Sequence, residues 1–177
     1  DEVVVDDVDA VIVGSWFSGG CTTGFVACHG PYQRWTNVTD GTRSVTWTPV
    51  LPAATNWKVY ARWTTDAFRP SIANYRVTHD GGTTVVTVSQ LQNGGDWVLL
   101  GTYAMTPGAG QGVQLKNDHN GQNLVADAIR FERDFSASGN EMLIDNSAAT
   151  FTGTWSVSTW AGLSGADFKQ ERNRDSR

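Results

Sequence analysis

Asn74-Tyr75-Arg76-Val77-Thr78-His79-Asp80-Gly81-Gly82-Thr83-Thr84-Val85-Val86-Thr87-Val88 decides the fold class of this chain. Apolar and polar residues alternate through Asn74 to His79, which sends alternate side chains to opposite faces of an extended strand. Asp80-Gly81-Gly82 then supplies positions tolerant of positive φ, and a β-branched run follows. The whole reads as a β-hairpin. Working outward, Val45 to Thr48 and Trp57 to Trp63 carry the same alternation, and Asn93-Gly94-Gly95 marks a second turn ahead of Trp97 to Tyr103. Past a loop from Pro107 to Gly112 come Val113 to Leu115, a turn at Asp118-His119-Asn120-Gly121, and a closing strand from Leu124 to Arg133. Helical periodicity is sustained nowhere. Short strands spaced by turns imply an all-β, antiparallel β-sandwich of jelly-roll, galactose-binding-like type.

Composition agrees. Gly at 19, Trp at 8 and only 2 Met among 177 residues favour strands and tight turns. A net charge of −5 repels phosphate backbones and anionic lipid, so nucleic acid is not an expected partner. The run of about 18 apolar residues that a spanning helix needs is missing, so membrane insertion is not expected. Cys21 and Cys28 lie seven positions apart in a Gly-rich stretch, where a disulfide closes a local loop and fits an oxidising, extracellular setting.

An internal repeat organises the chain. Glu2 to Asp7, Ala10 and Val13 to Trp16 return as Glu141 to Asn146, Ala149 and Thr152 to Trp155 at a constant offset of 139, and Tyr32-Gln33 is loosely echoed by Phe168-Lys169. The expected domains are therefore a complete unit over 1–133, a linker over 134–140, and over 141–177 the opening strands of a second copy. A third of a sandwich cannot bury its own apolar face, which leaves Trp155, Val157, Trp160, Leu163 and Phe168 as an assembly surface or a fragment's exposed edge.

The succession Val5-Asp6-Asp7, Gly14-Ser15-Trp16, Val45-Thr46-Trp47-Thr48-Pro49, Val59-Tyr60-Ala61-Arg62-Trp63, Gly95-Asp96-Trp97-Val98-Leu99-Leu100-Gly101 and Val125-Ala126-Asp127-Ala128-Ile129-Arg130-Phe131 resembles the golvesin C-terminal-like domain. That family is also met as the carbohydrate-binding module of xanthan lyases. The resemblance covers nearly all of residues 3 to 133 and implies an extracellular bacterial accessory domain, secreted or on the cell surface, that does not itself catalyse.

The residues suit that implication. Sugar rings stack their C–H faces on indole and phenol rings while polar side chains bind the hydroxyls. Trp16, Trp47, Trp63 and Trp97 fall in strand-like patterns and are assigned to the core. Tyr32, Arg34 and Trp35, with Arg69, Tyr75 and His79, are the candidate ligand residues. Acids at turns, such as Asp80, Asp96 and Asp118, read as solvated, so a catalytic carboxylate pair is not expected. His29, His79 and His119 lack zinc spacing, and the turn at Asp118 lacks that of a calcium loop. The sequence thus predicts neither metal nor cofactor. Its expected partners are a polysaccharide or other copies of itself.

Overall fold

The computed structural model describes residues 1–21 and 28–136, and the backbone of Trp155–Ser158 and Phe168–Glu171. The described residues contain strands and turns and no helix. Twelve strands build the first unit: β1 (Glu2–Val5), β2 (Val11–Val13), β3 (Phe17–Gly20), β4 (Tyr32–Thr36), β5 (Ser44–Trp47), β6 (Thr55–Arg62), β7 (Ala73–His79), β8 (Gly82–Val88), β9 (Val98–Met105), β10 (Gly112–Lys116), β11 (Leu124–Ala126) and β12 (Ala128–Arg133). They form antiparallel sheets in the orders β1-β12-β6-β9, β2-β5-β10-β7-β8 and β11-β4-β3.

Alternation explains the β-sandwich. Trp57, Val59 and Ala61 on β6, with Ile129 and Phe131 on β12, are fully buried in one cluster with Val45 and Trp47 on β5, Val113 and Leu115 on β10, and Tyr75 and Val77 on β7. An indole in such a core must place its N–H. Trp47 donates to the Asp127 carbonyl (3.2 Å), Trp57 to the Ala53 carbonyl (3.2 Å) and Trp63 to the Gln92 carbonyl (3.0 Å). The predicted β7–β8 hairpin is present, with His79 opposite Gly82 and the Gly81 amide donating to His79 Nδ1. At the second turn, Asn93 adopts φ 57° and Gly94 lies so close to Thr65 that a side chain there would collide with it.

One expected strand differs. Leu124 to Arg133 is interrupted at Asp127: β11 pairs with β4, and β12 pairs with β1 and β6 in another sheet. Leu124 to Ile129 is buried on both sides of the break, so the sequence shows an apolar run interrupted only by Asp127 there, and periodicity alone does not reveal the change of sheet. Two of the four tryptophans assigned to the core, Trp47 and Trp63, are fully buried, whereas Trp16 and Trp97 are only partly so. The indole N–H of Trp16 bonds the Val13 carbonyl, and the Arg62 and Arg130 guanidinium groups lie 5.6 and 5.1 Å from the Trp97 ring centroid.

The chain divides into compact units at 1–138 and 139–177. In the second unit β13 (Trp155–Ser158) pairs antiparallel with β14 (Phe168–Glu171). The side chains of Trp155, Val157 and Phe168 lie outside the description, as do Trp160 and Leu163 altogether.

Gln90 is fully buried and ties β11 to β7: its side chain accepts from the Val125 amide (2.9 Å) and donates to the Val125 carbonyl (2.7 Å) and the Tyr75 hydroxyl (3.1 Å). Gln90→Leu strands those backbone groups in the core and should cost about 3 kcal/mol in urea unfolding. A loss below about 0.5 kcal/mol would show that the bonds contribute little net stability.

Candidate functional site

The site begins with glycine. On β3, Gly19 and Gly20 present no side chain, and β4 runs beside them with Gly19 opposite Gln33 and Phe17 opposite Trp35. A Cβ at Gly19 would lie 3.5 Å from Trp35 Cδ1, so the bare strand leaves one edge of the indole uncovered. Phe17 stacks on Trp35 with ring centroids 4.4 Å apart and an interplanar angle of 23°. Phe17 is itself 54% exposed, so the pair forms a flat aromatic surface reachable from solvent.

A turn supplies the facing wall. Asp66 Oδ1 accepts from the Phe68 amide (2.8 Å), the Arg69 amide donates to the Asp66 carbonyl, and the Asn123 amide donates to the Phe68 carbonyl (2.8 Å). This presents the Phe68 ring outward at 62% exposure. Together Gly19, Gly20, Gln33, Trp35, Asp66, Phe68, Arg69 and Asn123 enclose a groove of about 210 Å³. Its polar groups are preset. The Thr64 hydroxyl donates to Gln33 Oε1 (2.7 Å) and accepts from Arg69 Nη2 (2.9 Å), while Arg69 Nε donates to the Thr64 carbonyl (2.9 Å). Burial pulls the Arg69 guanidinium below its ordinary pKa, opposed by the charge of nearby Asp66.

Of the six ligand residues proposed from sequence, the structure brings only Trp35 and Arg69 together. Arg34 is a correction: alternation along β4 turns it to the opposite face from Trp35, where its Nε lies 2.8 Å from Asp7 Oδ2. Tyr32 shares that alternation with Arg34 and is half-exposed at the end of the strand. Tyr75 is also corrected, because it is 1% exposed and its ring fills the core; burial raises its hydroxyl pKa. His79 stacks on Tyr103 at 4.8 Å and braces the hairpin turn, outside the groove. Sequence reading missed Phe17, Gln33, Asp66, Phe68 and Asn123. The Gly19-Gly20 pair inside a strand was the available signal.

A larger hollow of about 270 Å³ lies on the five-stranded sheet, lined by Thr46, Thr48, Arg76, Thr78, Thr83, Gly110, Gly112, Val113 and Gln114. It has no aromatic surface, and Arg76 there is paired with Asp118. Beyond the groove, Cys21 and Cys28 form the expected disulfide, with Cα atoms 5.9 Å apart. Next to it the His29 amide donates to both carboxylate oxygens of Asp127 (3.2 and 3.1 Å), bringing that side chain to Asp6 and Asp7.

Because Arg34 answers buried Asp7, Arg34→Met should lower stability by about 2 kcal/mol, measured by chemical denaturation, by leaving an anion uncompensated. It should leave the groove residues in place; unchanged stability would show that Asp7 is satisfied by other means.

Comparison with known proteins gives this geometry a context. The Golvesin C-terminal domain family matches residues 3–133. A xanthan lyase of Bacillus sp. (strain GL1) is 36% identical over 135 residues, covering 73% of this chain and 14% of that protein. The solved structure of a Paenibacillus xanthan lyase superposes with a TM-score of 0.69 at 33% identity, over 75% of this chain and 13% of the other. A Podospora anserina GH26-CBM35 β-(1,4)-mannanase superposes at 0.54 with 17% identity, covering 75% of this chain and 28% of that one, a likeness of fold. The chain thus spans about a seventh of the length of the xanthan lyases it matches.

Proposed function

This chain belongs to the Golvesin C-terminal domain family, and from that membership we propose that its first unit is a non-catalytic extracellular module that binds polysaccharide in the groove beside Trp35. The carrying observation is the stacked Phe17–Trp35 surface, reached across bare Gly19 and faced by Phe68, with Gln33, Asp66, Arg69 and Asn123 around it. A pyranose has one face of C–H groups and a rim of hydroxyls. The first suits a flat ring, and the second suits fixed amides, a carboxylate and a guanidinium.

The reading favours an acidic glycan. Arg69 is 7% exposed, and its Nε and Nη2 hydrogen bonds run to Thr64, a neutral partner. A carboxylate on a sugar entering the groove gives this desolvated cation a second anion to face besides nearby Asp66. The name of the bacterial relatives points the same way, to xanthan. Among the lining residues Asp66 is the carboxylate, and it already holds the Phe68 turn. Hydrolysis by paired carboxyl groups is therefore unsupported at this site. The disulfide supports export to an oxidising compartment.

Affinity electrophoresis through gels containing xanthan or a neutral glycan tests this. The wild-type chain should be retarded by xanthan. Trp35→Ala should weaken binding about tenfold or more, since loss of a ring contact is worth at least about 1.4 kcal/mol. Gly19→Leu, which leaves Trp35 intact and fills the space over it, should weaken binding similarly. Unaltered retardation of both variants, with folding unchanged, places any glycan elsewhere.

A second reading keeps the repeat. The β13–β14 hairpin stands where the offsets carry β3 and β4, which supports residues 141–177 as opening strands of another copy. Such strands can be completed by a neighbouring chain, giving a head-to-tail contact that propagates. Sedimentation of the intact chain should then show concentration-dependent oligomers that vanish in a chain ending at Arg133. Monomers in both cases remove the assembly reading.

A further inference from the structure

Away from the groove, three carboxylates from distant parts of the sequence meet. Asp6 and Asp7 follow β1, Asp127 sits at the break between β11 and β12, and one oxygen from each lies within 4.8 Å of the others. Asp7 is fully buried and Asp127 is 1% exposed; the Asp6 side chain is 13% exposed. The positive and titratable neighbours are few. Arg34 faces Asp7 Oδ2 at 2.8 Å, His29 Nδ1 stands 3.6 Å from Asp6 Oδ1, Arg62 acts on Asp127 from further off, and Asp9 adds negative charge near Asp6.

Each carboxylate has been given part of a shell. The Asp7 amide donates to Asp6 Oδ1 (2.9 Å), and the His29 amide donates to Asp127. Asp7 Oδ1 is different. It is buried and, like Oδ2, accepts no hydrogen bond from the described residues, although a buried anionic oxygen without a donor is among the costliest groups a fold can carry. Arg34 faces Oδ2 as an ion pair without a hydrogen bond, and no charged group is paired with Oδ1, the oxygen left for whatever completes the cluster.

We propose that Asp6, Asp7 and Asp127 form a binding site for one hard divalent cation of the calcium type. An all-carboxylate set favours Ca²⁺ or Mg²⁺ over the softer metals that seek His and Cys. Calcium tolerates the irregular geometry of donors borne on a strand end and an inter-strand break, with carbonyls and water completing a shell of six to eight oxygens. The cation would link the end of β1 to the break at Asp127 and, through the His29 amide, to the chain beside the Cys21–Cys28 disulfide. The site is structural and independent of whether the Trp35 groove binds sugar. Neither histidine spacing nor a regular calcium loop announces it: two donors are adjacent and the third is 120 positions away.

Protein stripped with EDTA and exchanged into chelator-free buffer is titrated with CaCl₂ by calorimetry and melted with and without it. The proposal expects one equivalent bound and a melting temperature raised by about 5 °C when calcium is near a hundredfold above its dissociation constant. Asp6→Asn and Asp127→Asn should abolish both effects, and Asp118→Asn, which alters an acid paired with Arg76 on another surface, should keep both. Absence of heat and of a melting shift for the wild-type chain in about 10 mM CaCl₂ and then MgCl₂ overturns the site, as does binding that survives both Asp6→Asn and Asp127→Asn. The wild-type titration decides even where a variant fails to fold.

Discussion

A buried carboxylate governs this fold. Asp127 stands where the chain leaves the three-stranded sheet at β11 and enters the four-stranded sheet as β12. Such a crossing exposes backbone and side-chain polar groups in the middle of a core, and each needs a partner. The Asp127 carbonyl takes the indole N–H of Trp47, and its carboxylate takes the His29 amide. One residue thereby joins the packed interior, the disulfide-closed loop and the acids that follow β1. Gln90 performs the neutral counterpart of this task at Val125, two residues earlier.

That rigid frame explains why a recognition surface can be built from so little. The β11-β4-β3 sheet carries Trp35 on the face away from Arg34, and alternation keeps the charged pairing of Arg34 and Asp7 off the aromatic surface. Asn123, adjacent to β11, fixes the Phe68 carbonyl through its amide, so the turn carrying Asp66 and Phe68 is set by the same sheet. The groove is held by strands and short turns, which limits the ordering that a ligand must impose.

The fold class was legible because alternation and turn chemistry agreed over long stretches. Asn74 to Val88 predicts its hairpin, and Asp80-Gly81 closes it as expected. What stayed hidden shares one physical cause: the sequence states which side chains are apolar, but not which strand lies beside which. Leu124 to Arg133 reads as one strand because Leu124 to Ile129 is buried on both sides of the break, and Tyr75 reads as surface-capable because its hydroxyl finds Gln90 only in three dimensions. Arg34 and Trp35 are neighbours in sequence and opposites in space. Trp35 and Arg69, picked separately from composition and context, meet because Gln33 and Thr64 connect them. The carboxylate cluster was least legible, since its donors are common acids joined only by topology.

The most direct measurement is a titration of isotope-labelled protein with xanthan oligosaccharides, followed by indole and backbone N–H resonances. Binding in the groove predicts that the Trp35 indole, Gly19, Gly20 and Asn123 shift together and saturate at one common affinity. Shifts confined to Thr46, Thr78 and Gln114 on the five-stranded sheet, with Trp35 unmoved, would contradict the account.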